Sequence, residues 1–305
     1  MVDGSQGKSD VCVITPSYNQ GGFIERTIRS VLDQDVEGLD YLVVDGGSAD
    51  GTVDVLCRFE DRLRWISEPD DGQADAVNKG LAATGAEIIG WLNSDDVYYP
   101  GALTSVRHYF AEHPEIDVVY GQADHIDEHD AVLETYYSES WDAERLKDVC
   151  FICQPATFFR RRVVERFGPL DPRLQFCMDY EYWLRLSRDG ARFAYLDRPL
   201  AGSRLYESNK TLGQRVAVHR EINDMLKNTF GAVPDRWLSN YSHAVLQVRG
   251  MSHEKTPLRF AFAVSALCWL NAWRWNRKIS RDLWQTTSGW IRGNAAAWRA
   301  KRTGR

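Results

Sequence analysis

Two adjacent carboxylates, Asp95 and Asp96, close the string Asn93-Ser94-Asp95-Asp96 at the end of an apolar run from Ile88 to Leu92. Acids at the end of a buried strand repel each other unless a cation neutralises them. Hard divalent ions such as Mg²⁺ or Mn²⁺ take oxygen ligands of this sort, one or two from the protein and the rest from substrate phosphates. The same pair could instead cap a helix beginning near Pro100. A second acid stands at the end of the run Tyr41 to Val44, in the turn Asp45-Gly46-Gly47-Ser48-Ala49-Asp50-Gly51. Asp45 could accept from a ribose hydroxyl or a base N–H, or the segment could be a tight turn in which Asp50 caps the next helix. The turn is not the dinucleotide G-x-G-x-x-G, because Ala49 stands at the second glycine, and no G-x-x-x-x-G-K-[ST] is present. Tyr18, in Thr15-Pro16-Ser17-Tyr18-Asn19, offers a ring and a hydroxyl that would flank a flat base or plug a sheet edge.

These residues act together only if the chain folds to bring them together. Val11 to Thr15 reads as a strand, Phe23 to Leu32 as a helix, Tyr41 to Val44 as a strand and Thr52 to Phe59 as a short helix. Leu63 to Ile66, Gly72 to Ala83 and Glu87 to Leu92 continue the alternation as strand, helix and strand. Such alternation implies an α/β fold with a mostly parallel sheet covered on both faces, and ligands sit at the carboxyl ends of its strands. The loops after strands one, two and four therefore converge on one cleft. Farther on, the patterns predict a helix from Pro100 to about His113, a strand at Val118 to Tyr120, and helices over Met178 to Arg188 and Thr211 to Phe230. Residues 231–257 read as a linker.

The chain has 305 residues, 44% hydrophobic and 26% charged, which fits a globular protein of either one large α/β domain or a domain with an appendage. Six cysteines are too few for a disulfide scaffold, and Cys150 and Cys153 have no second pair nearby to complete a zinc site. Residues 1–10 are polar and lack the apolar stretch of a secretory signal, so a cytoplasmic catalytic part is expected. From Met251 to Arg305 there are eleven Lys and Arg against two acids, a net of +9, while the whole chain carries −6.

The strings Thr15 to Asn19, Asp45 to Thr52, Glu68-Pro69-Asp70-Asp71-Gly72-Gln73 running to Asn78-Lys79-Gly80, and Asn93 to Asp96 resemble, in order and spacing, family 2 glycosyltransferases of the GT-A fold. The resemblance covers about residues 11–220. It implies a GT-A-type, Rossmann-like sheet over 11–230, a nucleotide-sugar half (11–98), an acceptor half (99–230), and transfer from a nucleotide-diphosphate donor, most often UDP-linked, to a saccharide or lipid-linked acceptor. Carried over by position, Asp96 binds a divalent cation, Mn²⁺ or Mg²⁺. Asp95 contacts the donor ribose or sugar, Tyr18 and Asp45 hold the base, and Thr15, Pro16, Asp75, Lys79 and Asn93 line the donor pocket. Many members carry a second acid after the position of Asp45, where this chain has Gly46. Met178-Asp179-Tyr180-Glu181-Tyr182-Trp183 resembles the family's acid-rich motif ahead of an aromatic helix, which makes Asp179 the general base of an inverting transfer. Helix-start acids are the bland account of Asp179 and Glu181. Gln154, Glu181 and the pair Arg161 and Arg162 fall where the family builds its acceptor side. A sugar nucleotidyltransferase is the competing enzyme class, but its basic, Gly-rich phosphate loop is missing from the N-terminal region; a binding module without turnover is the non-enzymatic one.

Residues 258–305 form a basic, Trp-rich tail expected to be helical. Trp269, Trp273, Trp275, Trp284, Trp290 and Trp298 are interleaved with Arg and Lys. Phe260 to Trp273 is too short to span a bilayer. The tail could lie in a membrane interface or pack as a helical hairpin on protein; the acidic body argues against nucleic acid.

Overall fold

The computed structural model describes residues 10–206 and 213–303. Most of the polar start, Thr211 and Leu212 of the expected helix, and the last two residues of the tail lie outside the described residues. The chain divides into two compact units: residues 1–143 with 150–207, and residues 144–149 with 208–305.

The first unit is built on β1 (Val11–Ser17), buried at every position. A β-branched run with no polar face belongs at the centre of a sheet covered on both sides. It pairs in parallel with β2 (Leu39–Asp45) and, on its other side, with β4 (Ile88–Trp91), while β3 (Arg64–Ser67) extends β2 in parallel. The crossovers are α1 (Ile24–Leu32), α2 (Thr52–Cys57) and α3 (Gln73–Ala82). Ile24, Thr27, Ile28 and Val31 put the buried face of α1 on the sheet at helical spacing. Helix α3 lies so close to β1 that a Cβ on Gly80 would overlap Ile14 Cγ2.

The second half of the sheet departs from simple alternation. After β5 (Val97–Tyr98) and α4 (Ala102–Glu112), β6 (Val118–Ile126) forms a hairpin with β7 (Val132–Thr135). Beyond α5 (Ala143–Asp148) and a 3-10 turn at Gln154–Ala156, β8 (Thr157–Arg160) inserts antiparallel between β4 and β6. Helices α6 (Arg161–Phe167) and α7 (Met178–Arg188) lead to β9 (Phe193–Arg204), which runs parallel to β6 and antiparallel to β5. The order is β3-β2-β1-β4-β8-β6-β9-β5, with β7 on β6. The sheet curls: a Cβ on Gly90 of β4 would lie 2.6 Å from the hydroxyl oxygen of Tyr98, which belongs to the far edge strand.

The second unit contains α8 (Arg215–Phe230), α9 (Asp235–Val248), α10 (Pro257–Asn276) and α11 (Arg281–Thr303). The stretch expected as a linker, 231–257, is therefore largely helix. Gly231 in the left-handed region ends α8 and Pro234 starts α9, punctuation that resembles a linker, while Trp237, Leu238, Ala244 and Leu246 carry the buried face. Two of the tail tryptophans fasten the unit internally. Trp275 Nε1 donates to Asp224 Oδ1 at 2.7 Å and Trp269 Nε1 to Thr287 Oγ1 at 2.9 Å. Among the described residues no helix is long and apolar enough to cross a membrane.

His219 in α8 has its pKa pushed down to about 4 by burial first and the Arg215 charge second. The unfolded imidazole takes up its proton near 6.5, so the folded state binds fewer protons between these values. Stability from this group is expected to be complete above about pH 6.5 and to fall as the pH drops toward 4. Urea midpoints measured across that window should slope less for His219→Leu than for the native chain.

Candidate active site

The loops after β1, β2 and β4 meet, as the parallel topology requires. Tyr18, just past β1, is 62% exposed, leaving its ring open to a ligand. Asn19 follows with φ of 53° and ties the first loop to the second: its N–H donates to Ser48 Oγ at 2.7 Å, and Ala49 N–H donates to its Oδ1 at 2.9 Å. Thr15 and Pro16 are within β1 and buried. The Thr15 hydroxyl lies 3.2 Å from that of Tyr41, so these two residues support the loop from inside.

Asp45 is fully buried, and its carboxylate is held by its own turn. Gly47 N, Ser48 N and Ser67 Oγ donate to Oδ2 at 3.2, 2.9 and 2.7 Å, and Ser48 Oγ donates to Oδ1. This is the tight-turn arrangement. Asp50 accepts from Gly21 N and Thr52 N, so it fixes the start of α2 from one residue before the N-cap, Gly51. The missing second acid has a steric counterpart: a Cβ on Gly46 would lie 2.7 Å from Asp70 Oδ2. The Asp70 carboxylate fills the space that a side chain at 46 would need.

Helix α3 carries the next group. Lys79 Nζ pairs with Glu68 at 3.0 Å and Asp75 at 3.4 Å, and the Glu68 bond leads the causes that raise its pKa. Gln73 Nε2 donates to Asn93 Oδ1 at 2.6 Å, and Trp91 Nε1 reaches the same oxygen at 2.9 Å. Asn93 Nδ2 in turn donates to Asp96 Oδ2 at 3.3 Å, so α3 and the end of β4 form one polar chain.

Asp95 and Asp96 do not cap α4, whose N-cap is Gly101. They follow the end of β4, where their charges bear on each other. Asp96 is buried, and its carboxyl is held well above the usual range by burial first and the Asp95 charge second. Asp95 is raised as well, chiefly by burial. The pair is clasped by residues that the sequence patterns did not single out. Arg204, at the end of β9, donates its N–H to Asp96 Oδ1 at 2.8 Å and its Nε to Asp95 O at 2.6 Å. Its Nη1 and Nη2 donate to Asp127 O and Asp130 Oδ1. Tyr206 donates to Asp95 Oδ2 at 2.9 Å. No local period marks Arg204 or Tyr206; they reach the acids only through the β6–β9 and β5–β9 pairings. A buried carboxylate beside a half-buried one that repels it fits a hard divalent ion on its own chemistry. Among the described residues no group of three or more His, Cys, Asp or Glu side chains gathers to hold a metal alone, so further oxygens would have to come from a ligand.

Asp179 is the second residue of α7, whose N-cap, Cys177, makes no side-chain capping bond. The buried Cys153 thiol has its pKa raised by burial first, and then by the charges of Asp96, Cys150, Asp179 and Asp124. Glu181 is engaged by Arg185, Nε to Oε1 at 2.8 Å, and that guanidinium also donates to Phe167 O and Pro169 O. Glu181 thus braces the loop before α7. Gln154 is 7% exposed, with Nε2 donating to Trp91 O at 2.5 Å and Oε1 buried without a partner. Arg161 and Arg162 lie elsewhere. Because β8 runs antiparallel to β4, they sit past the β4 residue Ile88, at the opposite end from the acids. There Arg161 donates to Leu81 O, Thr84 O and Ala86 O, and Arg162 pairs with Asp117 at 2.7 Å. Both are structural ties rather than part of an acceptor surface.

The chain is similar to several glycosyltransferases. It is 29% identical over 175 residues to an uncharacterized glycosyltransferase of Nostoc sp., covering 53% of this chain and 54% of that protein, so it spans about half the length of that relative. It is 29% identical over 182 residues to a PGL/p-HBAD biosynthesis glycosyltransferase of Mycobacterium tuberculosis, covering 57% of this chain and 68% of that protein. Among solved structures, S. aureus TarS 1-349 in complex with UDP-GlcNAc matches with a TM-score of 0.58 at 16% identity, over 97% of this chain and 92% of that one. The mannosyltransferase PcManGT from Pyrobaculum calidifontis, in complex with GDP-Man and Mn²⁺, matches with a TM-score of 0.59 at 17% identity, over 96% and 81%. At these identities the likeness is one of fold, a GT-A architecture with a curled, mostly parallel sheet. The sequence profile of glycosyl transferase family 2 matches residues 12–168, from β1 through α6, and the protein belongs to that family.

Proposed function

We propose that the protein is an inverting, divalent-metal-dependent glycosyltransferase. It moves a sugar from a nucleotide-diphosphate donor, UDP-linked by preference, to a hydroxyl of a saccharide or lipid-linked acceptor in cell-surface polysaccharide or glycolipid assembly at the cytoplasmic side of a membrane. The observation that carries this reading is the acid pair at the end of β4, with Asp96 buried, Asp95 half-buried beside it, and both held by Arg204 and Tyr206. The nucleotide-sugar complexes of the two solved neighbours support it.

In this reading the Tyr18 ring flanks the base, and Asp95 accepts from the donor ribose or sugar. Asp96 would hold the cation, whose chemistry there is to neutralise charge on the leaving diphosphate. Asp179 takes the proton of the acceptor hydroxyl as its oxygen attacks the anomeric carbon from the side opposite the diphosphate. Gln154 Oε1 suits a second acceptor hydroxyl, because a buried amide oxygen without a partner costs about 1–3 kcal/mol until something donates to it.

The test is a thermal-shift comparison of UDP, GDP, dTDP and their sugar conjugates, each with and without Mn²⁺, since a ligand that binds the native state raises its melting temperature. One nucleotide is expected to stabilise the fold in a metal-dependent manner. Asp96→Asn should lose at least the roughly 10- to 100-fold in affinity that loss of a supporting metal contact costs. Metal-independent stabilisation that survives Asp96→Asn would refute the assignment.

A further inference from the structure

Helix α10 is apolar on two opposite faces. One, with Phe260, Val264, Cys268 and Trp275, is buried. The other carries Phe262, Ala266, Leu270 and Trp273, spaced by four, four and three residues and therefore aligned along one side of the helix. Phe262 is 53% exposed, Leu270 65% and Trp273 59%. A helix apolar all round is ordinarily buried all round, so this outer face has the composition of a contact surface. Basic side chains flank it: exposed Arg259 stands three residues before Phe262, and exposed Arg277 and Lys278 follow the helix end.

We infer that the outer face of α10 docks on an anionic lipid surface. Charge decides between the two simplest occupants. A second copy of the chain would bring its own Arg259, Arg277 and Lys278 to the contact, and residues 251–305 carry eleven basic side chains against two acids. Like charges set against each other across an interface oppose association. Anionic headgroups present the opposite sign, while Trp273, Leu270 and Phe262 enter the boundary between headgroups and acyl chains, where indole rings are favoured. No helix among the described residues meets the requirements of a span, so α10 lies on the surface rather than through it. The inference is independent of the nucleotide reading, since it uses no residue of the cleft.

Flotation of the full chain on liposomes tests it, with phosphatidylcholine alone against phosphatidylcholine mixed with phosphatidylserine. The native chain is expected to float with the anionic vesicles and to detach as salt rises. A chain with Phe262→Ser, Leu270→Ser and Trp273→Ser is expected to remain at the bottom while keeping its melting temperature. Should that variant fail to fold, Arg259→Glu with Lys278→Glu carries the test, with binding reduced about tenfold or more, as reversal of two basic side chains near an anionic surface implies. Equal flotation of native and variant chains, or no flotation of the native chain, overturns the inference. So does a native dimer that the triple variant converts to a monomer by light scattering, which would assign the face to a second copy.

Discussion

Asp179→Asn is expected to lower sugar transfer by about 10²- to 10⁴-fold, the usual contribution of a positioned general base, while nucleotide-dependent thermal stabilisation stays unchanged. The amide matches the carboxylate in size, but it cannot take a proton. Asp179 is a first-turn acid of α7, where the helix field favours a carboxylate by about 0.3–1 kcal/mol. The measurement is turnover with donor and acceptor saturating, beside the nucleotide melting shift of the same variant. Unchanged turnover would remove Asp179 from the chemistry. Loss of both turnover and nucleotide stabilisation would point instead to a collapsed cleft.

Arg204→Ala is expected to destabilise the first unit by about 3–5 kcal/mol, the range for removing one partner of a buried charged network. The guanidinium is wholly buried and donates to the carbonyls of Asp95 and Asp127 and to the Asp130 carboxylate, and it lies 5.1 Å over the Phe23 ring. Its loss strands those acceptors and also removes the positive charge that offsets Asp95 and Asp96. The backbone bond from residue 204 to Asp96 remains available in the alanine variant, so the effect isolates the side chain. Asp130 is 41% exposed, and its share is correspondingly small. Urea unfolding should show a lower midpoint with an unchanged slope. Arg26→Ala, which removes a partly exposed pair to the same Asp130 together with a bond to Glu128 O and a contact over the Phe23 ring, is the internal comparison and should cost less, about 1 kcal/mol. A similar small loss for Arg204→Ala would show that the network carries no stability.

Much of the first unit can be read from the sequence because its signals are local. Continuous apolar runs mark β1, β2 and β4, the 3- and 4-residue spacing of Ile24, Thr27, Ile28 and Val31 marks α1, and α7 has the expected bounds, Met178–Arg188. Asn93 to Asp96 stands out because acids end a strand that has no polar face. What fails is whatever depends on register between distant segments. The antiparallel insertion of β8 sends Arg161 and Arg162 away from the cleft, and the long β6–β9 ladder brings Arg204 to Asp96 from 108 positions farther along the chain. Asp45 illustrates a different limit. Its residue type suits both a ligand contact and a turn, and only the positions of Gly47, Ser48 and Ser67 show which donors it has. Gly231 and Pro234, ending one helix and starting α9, look like the opening of a linker until the buried face that follows them is known.

The strand order also sets a sequence of assembly. Strands β1 to β4 come from one contiguous stretch and can pair while the rest of the chain is still unfolded, whereas β5 waits for β9, which joins Val97 to Gly202. Closing so long a loop costs more entropy and slows the contacts that depend on it. Residues 11–91 therefore have a route to form first. Asp95 and Asp96, at the seam between β4 and β5, acquire their clasp from Arg204 only when the last strand arrives, so completion of the sheet and arming of the cleft are the same folding event.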